Sequence, residues 1–133
     1  MTPQYKSTIA ALKTIPGLTV IPSSWLASKK DWPLPAVIVD LENPIFDCRT
    51  EDGALVEIST RMSMIFCVKP DEDDPTIAFA KLENYFWTGL QAIALAFPSK
   101  QLAVDLPQID DFSFGKSQMT FGIGFFLRIS EGE

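Results

Sequence analysis

Apolar side chains occupy every second position of residues 54–68, apart from Thr60, which is the period of a β-strand with one buried face. The upstream segment that starts at Val37 shows the same alternation. Asp52-Gly53 lies between the two segments and is a preferred residue pair for a two-residue hairpin turn. The pattern therefore predicts a long β-hairpin with arms at residues 37–51 and 54–68.

The turn also predicts the register of this hairpin. If Glu51 pairs with Ala54, Val39 faces Phe66, and the apolar positions of both arms lie on one face of the sheet. Arms of this length would measure about 50 Å when fully extended, against a diameter of roughly 36 Å for a globular chain of this size. We therefore expect a hairpin that bends at Asn43-Pro44 or projects beyond the body of the domain.

Polar and reactive groups on the hairpin have simple structural explanations in this register. Glu42 would lie diagonal to Arg61, so we expect a cross-strand ion pair rather than a pair of catalytic carboxylates formed by Glu42 and Glu57. Cys48 and Cys67 would lie about 33 Å apart along the ladder. Because that separation is far beyond the reach of a disulfide, we expect two free thiols.

Helices are predicted on both sides of the hairpin. A first helix starts at Pro3, with Thr2 as its cap, and a long one starts at Pro75, with Asp74 as its cap. The long helix carries an apolar stripe at helical spacing, made of Phe79, Leu82, Phe86, Leu90, Ile93 and Phe97. Short strands are expected near residues 17–21, at most one within 103–114, and a closing strand over 118–130. This order predicts an α+β domain with a mainly antiparallel sheet, whose apolar face the helices cover.

Composition excludes most catalytic chemistry. The chain has 133 residues, which is the size of one domain (1–133), and it contains no histidine. Ser-His-Asp and Cys-His sites and histidine zinc sites are therefore excluded, and we expect no enzyme, no cofactor and no metal. The net charge of −6 has the wrong sign for a protein that neutralises phosphates. The N-terminal residues lack the apolar core of a signal peptide, so we expect a soluble protein made in the cytoplasm.

Two short motifs have functional alternatives that we consider weaker. Gly115-Lys116-Ser117 resembles the end of a phosphate-binding loop, but Asp110 occupies the position of the required first glycine, and the motif is typical of a turn. The acidic run at residues 71–74 could bind Ca²⁺, yet it lacks the glycine of the calcium-binding loop. It is better explained as the solvated start of the long helix.

A proline-rich loop at residues 22–35 contains Trp25 and Trp32, with Lys29 and Lys30 between them. They could stack single-stranded nucleic acid, but the acidic charge favours a hydrophobic latch or an interface anchor. Together with the polar tip of the hairpin they form the candidate oligomer or tube interface. Its residues are Trp25, Lys29, Lys30, Trp32, Phe46, Asp47, Arg49, Glu51, Asp52, Glu57 and Arg61.

The whole chain resembles the tail terminator (tail completion) proteins of long-tailed bacteriophages and related tail-like particles. The likeness rests on a short N-terminal helix ending in "LKTIPGLTVIP", a proline-led "LPAVIVDLEN" strand, the polar-tipped hairpin, a long helix after "DEDDP" and a closing strand. The resemblance implies a subunit that forms a hexameric ring, caps the last ring of tail-tube subunits, stops tube growth and presents a surface for head joining.

The same resemblance implies the partners and the location. The partners would be further copies of the chain, the tail tube protein and a head-completion or neck protein, and the location would be the virion tail. DNA would pass through the lumen without specific binding, which suits an acidic ring.

Other functions are compatible with the sequence. One is another head–tail connector, neck or baseplate component. Another, from a different class, is a small-molecule binding domain with a pocket lined by Phe79, Phe86 and Phe125. An enzyme would require an activity that depends on Glu57 or Asp40.

Overall fold

The computed structural model of the chain describes residues 3–51, 54–70, 74–115 and 118–130. In chain order the elements are α1 (Pro3–Leu12), β1 (Thr19–Ile21), α2 (Ser24–Ala27), β2 (Ala36–Glu51), β3 (Ala54–Val68), α3 (Pro75–Ala96), β4 (Gln101–Phe114) and β5 (Gln118–Ser130). The five strands form a sheet in the order β1-β2-β3-β5-β4. Only the β1–β2 pair is parallel among the described strands, so the predicted α+β class with a mainly antiparallel sheet is confirmed.

Helices α1 and α3 pack on one face of this sheet, which we call the core face. Alternate residues of β2, β3 and β5 point to it, because successive side chains of a strand take opposite sides. The largest of these are completely buried. The core face and its helices share one hydrophobic cluster, which includes Leu12, Val37, Val39, Met62, Met64, Phe66, Leu82, Ile93, Phe125, Leu127 and Ile129.

The start of the long helix follows the prediction. The Asp74 side chain accepts a hydrogen bond from the Thr76 amide at 3.0 Å, and Pro75 takes the first helical position. Within the predicted stripe, Leu82 and Ile93 are buried, but Phe79 is 43% exposed. The stripe is therefore correct along its length, except that its first member lies at the surface.

A glycine lets α3 approach the sheet closely. Gly89 is buried in the middle of the helix, directly over the ring of Phe66. A Cβ atom at this position would lie 2.9 Å from Phe66 Cε1 and 3.5 Å from Leu12 Cδ2. The helix can sit at this depth only because residue 89 has no side chain.

The register of the hairpin differs from the prediction over most of its length. Near the turn Glu51 pairs with Ala54, as predicted, but Val39 pairs with Met64 instead of Phe66. Irregularities between Leu41 and Thr50 shift the register by two residues, including the region where a bend was expected. Because the shift of the pairs from Ala36 to Leu41 is even, their side chains keep the predicted face and change only their cross-strand neighbours.

Two elements differ from the prediction: a strand longer than the short one expected within 103–114, and a short helix where a loop was expected. Residues 101–114 form a full strand at the edge of the sheet, with a register irregularity between Asp105 and Gln108 that accommodates Pro107. An edge strand tolerates a proline because one side of it needs no ladder hydrogen bond. Within the predicted loop, α2 forms a short helix, and the Ser23 hydroxyl caps it by accepting a hydrogen bond from the Leu26 amide at 3.1 Å.

The opposite side of the sheet, which we call the second face, is covered differently. A small cluster of Ile21, Ala27, Ala36 and Ile38 lies at one end, with Leu26, Trp32, Leu34 and Ile65 packed against it. Helix α2 and the loop that follows it therefore close this end of the second face. The remainder of the second face, towards the β2–β3 hairpin, is the region that carries the candidate site.

Candidate interaction surfaces

The β2–β3 hairpin extends past the rest of the sheet. Strand β5 accompanies β3 only as far as the pair Ser59–Ser130. Beyond this pair, residues 47–51 and 54–58 pair with each other and with no other strand in the described parts of the chain. The hairpin therefore projects from the sheet, which is one of the two outcomes that the length of its arms predicted.

For most of the predicted interface residues of the hairpin, the structure describes only the backbone pairing. Phe46 pairs with Ser59, and Arg49 pairs with Glu57. Cys48 lies between them in β2, rather than opposite Glu57 as predicted. Asp52 lies outside the described residues. The same is true of the side chains of the other predicted tip residues, which are Phe46, Asp47, Arg49, Glu51 and Glu57.

The two tryptophans of the loop have different environments. Trp32 is half-buried against the second face, and its indole N–H donates to the Leu26 carbonyl at 3.3 Å. Trp25 is 66% exposed, and the Lys29 ammonium lies 4.3 Å from the centre of its ring. Lys30 makes the same kind of contact with Trp32, at 4.4 Å. Trp32 thus serves as the hydrophobic latch, and Trp25 is left as the candidate interface anchor.

The predicted ion pair between Glu42 and Arg61 is wrong. Asp40, not Glu42, pairs with Ser63, and Arg61 pairs with Asn43 after the register irregularity. Glu42 is exposed. The register irregularity between Leu41 and Asn43 therefore places Asn43, and not Glu42, opposite Arg61.

Arg61 lies on the second face with an aromatic neighbour and a second arginine. Its guanidinium carbon is 4.1 Å from the centre of the Phe126 ring, which is a cation–π contact. Directly opposite Arg61 on β5 is Arg128. The Nε atoms of both arginines are buried and lack a hydrogen-bond partner among the described residues. Arg128 was not among the predicted site residues, although its position in the β5 alternation, between the apolar Leu127 and Ile129, would have placed it on the polar face.

An apolar groove lies between α3 and β4. It is lined by Phe79, Leu82, Glu83, Phe86, Trp87, Ile109 and Ile123 and encloses about 160 Å³. Trp87 and Ile109 are 56% and 46% exposed at its rim. Phe125, which was expected to line such a pocket, is instead buried in the core, stacked on Phe66 with the ring centres 6.1 Å apart.

The described cysteine is a free, buried thiol. Cys67 pairs with Ala36 rather than with Ile38 as predicted, and it lies on the second face next to Thr120. Burial raises the pKa of its thiol to about 11, and a hydrogen bond with Thr120 partly offsets this. Such a thiol is a packing group and not a nucleophile.

The described carboxylates that could have indicated a catalytic site have structural roles or do not cluster with one another. Asp40 accepts a hydrogen bond from the Ser24 amide at 2.9 Å, which ties α2 to β2. Burial and the nearby charge of Asp40 raise the pKa of Tyr5, whose single hydroxyl proton has the carbonyl oxygens of Pro22 and Val39 as acceptors within hydrogen-bond distance. Over the described residues, no group of three or more His, Cys, Asp or Glu side chains could hold a metal ion. Residues 71–73 of the acidic run lie outside that description.

The helices in the described part of the chain include none with the length and apolar character required to cross a membrane. No protein-family model matches the chain, and no curated protein matches it either. Its function is therefore inferred from these surfaces and from the resemblance described above.

Proposed function

We propose that the protein is a structural assembly protein of a phage or phage-like tail. It would form a ring, a hexamer by resemblance, that caps the tail tube, ends its polymerisation and offers a surface for head joining. The observation that carries this proposal is the β2–β3 hairpin, which runs on past the Ser59–Ser130 pair without a third strand in the described residues.

A hairpin of this kind supports an assembly function. A two-stranded hairpin by itself is marginally stable in water, and three or more strands or a packed helix are normally needed. An extension that its own domain does not cover is therefore a natural contact for another subunit. In the proposed ring, this contact would come from a neighbouring copy or from the end of the tube.

The groove between α3 and β4 supports the same class of function. Phe79, Trp87 and Ile109 expose apolar surface there, and clustered exposed aromatics are typical of protein interfaces. Its volume of about 160 Å³ is small for a ligand pocket, since such pockets usually enclose roughly 300–1,000 Å³. The exposed groove therefore favours contact with a protein over the small-molecule alternative.

The test is reconstitution with tail-tube protein. Tubes polymerised from purified tube protein should lengthen without limit, and adding this protein should cap them and fix a shorter length in electron micrographs. Native mass spectrometry of the capped ends should give a ring of one stoichiometry. Tubes of unchanged length with no bound protein would refute the proposal. Binding to a neck or baseplate protein instead would place the chain elsewhere in the particle.

A further inference from the structure

Arg61 and Arg128 form a pair of like charges in the interior of the sheet. Arg61 is the register partner of Arg128, so both side chains leave the second face from adjacent strands. Side chains directly opposed in an antiparallel ladder start about 5 Å apart, and like charges in this position repel each other. The pair therefore destabilises the isolated chain unless an anion lies between or above the two guanidinium groups.

No described residue supplies that anion. Three described carboxylates lie near this pair in the sheet: Asp40 opposite Ser63, Asp105 opposite Phe126, and the exposed Glu42, which precedes Asn43, the register partner of Arg61. Asp40 accepts a hydrogen bond from the Ser24 amide, and none of the three carboxylates forms an ion pair with the arginines. Both Nε atoms are left buried and without an acceptor among the described residues. Buried donors are nearly always satisfied in folded proteins, so this pair is a strong indication of an absent partner.

The pair is suited to bind carboxylates. Two guanidinium groups present several donors, whose planar fork matches the two oxygens of a carboxylate. The Phe126 ring, 4.1 Å from the Arg61 guanidinium carbon, holds that plane in position before any partner arrives. A site ordered in advance loses less conformational entropy on binding.

The acidic residues of the hairpin of the same chain lie beyond the arginine pair along the strands. The nearest of them on β3 is Glu57, whose backbone lies four positions from that of Arg61, about 13 Å at the rise of a strand. A second copy of the chain can supply them, because the hairpin beyond the Ser59–Ser130 pair carries Asp47, Glu51, Asp52 and Glu57 against the single basic residue Arg49.

We infer that Arg61 and Arg128 form a receptor site for the acidic hairpin of a second copy of this chain. The contact joins two different surfaces, the arginine pair of one copy and the hairpin of the next. Such heterologous contacts close into rings or continue as filaments. The inference rests on the proposed function only in the choice of a ring as the resulting assembly.

The test separates the two halves of the contact. A ¹⁵N-labelled reporter carries a neutralised hairpin (Asp47→Asn, Glu51→Gln, Asp52→Asn, Glu57→Gln) and an intact arginine pair. An unlabelled donor carries the reverse, with Arg61→Gln and Arg128→Gln and an intact hairpin. Neither can bind itself through this contact, but one reporter and one donor can form a single heterodimer. The arginine Nε–H resonances of the reporter should shift and saturate as donor is added.

A matched control carries both sets of substitutions and should produce no shift. A second control, Lys13→Gln and Lys81→Gln in the donor, removes two exposed charges elsewhere and should leave the shift unchanged. Circular dichroism melting should show that the Arg61→Gln/Arg128→Gln donor is at least as stable as the parent, since it loses the repulsion between like charges. No shift with donor up to about 1 mM, the limit of weak contacts, would overturn the inference. A shift with inorganic phosphate but not with donor would do the same, because it would reveal a small-anion site.

The outcome is independent of tail capping. If the reporter and donor bind each other but wild-type protein ignores tail tubes, the contact is real and the proposed function fails. If Arg61→Gln/Arg128→Gln protein caps tubes as well as the parent, the function is supported and this contact is refuted.

Discussion

The two faces of the sheet differ in how completely the described residues of the chain bury the side chains there and provide hydrogen-bond partners for them. On the core face, α1 and α3 bury side chains such as Val39, Phe66 and Leu127 completely. On the second face, α2 and Trp32 close only one end. The other end holds Arg61 and Arg128, whose Nε atoms have no partner in the described residues.

Under the proposed function, this difference would separate folding from assembly within one small sheet. The core face needs no other molecule, because its apolar surface is already removed from water. The second face and the projecting hairpin leave charge and strand surface unmatched. Substitutions on the first should therefore act on stability, and substitutions on the second should act on association.

The largest effect is expected on the core face. Phe66→Ala removes a completely buried ring that stacks on Phe125 and meets Phe86 edge-on. It should lower the free energy of unfolding by about 3–5 kcal/mol. Phe126→Ala on the second face, where the ring is only half-buried, should lower it by about 1–2 kcal/mol. Urea denaturation of both variants checks the contrast, and equal losses would contradict it.

A pH dependence should come from the buried thiol of Cys67. The pKa of this thiol rises from 9.0 to about 11 on folding, so the unfolded chain releases the proton at lower pH than the folded chain. The contribution of this thiol to the free energy of unfolding is complete below pH 9 and is lost as the pH rises to about 11. The loss should be on the order of 2–3 kcal/mol. Thermal melts from pH 8 to 11 should show a smaller decline in Cys67→Ala. A decline that is identical in both proteins would mean that the thiol is not buried as described.

The close approach of α3 to the sheet can be tested at Gly89. In an exposed helix, replacing glycine by alanine stabilises by about 1 kcal/mol. At this position the added carbon meets the ring of Phe66, and overpacking should reverse the sign, with a net loss of about 1–2 kcal/mol. Asn84→Ala, on the exposed side of the same helix, is the matched control and should gain a few tenths of a kcal/mol. A stabilised Gly89→Ala protein would show that the helix lies further from the sheet.

The features that the sequence predicts correctly depend on local signals. Asp74 and Pro75 are adjacent to the helix that they start, and the core-face residues of β3 follow from alternation alone. These predictions need no knowledge of which strand lies beside which. They are insensitive to the two-residue register shift, because an even shift preserves the face of every side chain.

The features that it misses depend on neighbours. Irregular pairing between Leu41 and Thr50 has no clear sequence signature, so the ion pair of Glu42 with Arg61 was expected and does not form. The full length of the strand around Pro107 was not predicted, because proline and acidic residues are typical of turns. An edge strand nevertheless accepts them. The arginine pair depends on the pairing of β5 with β3, which the alternation within each strand does not predict.

The most direct measurement shortens the hairpin. Phe46 and Ser59 are register partners, so a two-residue Asn-Gly turn can join residues 46 and 59 and remove residues 47–58 without changing the pairing below them. The removed segment pairs with no third strand in the described residues, and the loss of stability should be about 1 kcal/mol or less. A matched control replaces only the central Asp52-Gly53 by Asn-Gly and keeps both arms.

The two readouts are the thermal melt and the length of tail tubes in electron micrographs. The account predicts that the shortened protein melts close to the parent and no longer forms rings or limits tube length, whereas the control behaves as the parent. A shortened protein that melts normally and still caps tubes at the normal length would contradict the assignment of the hairpin to assembly.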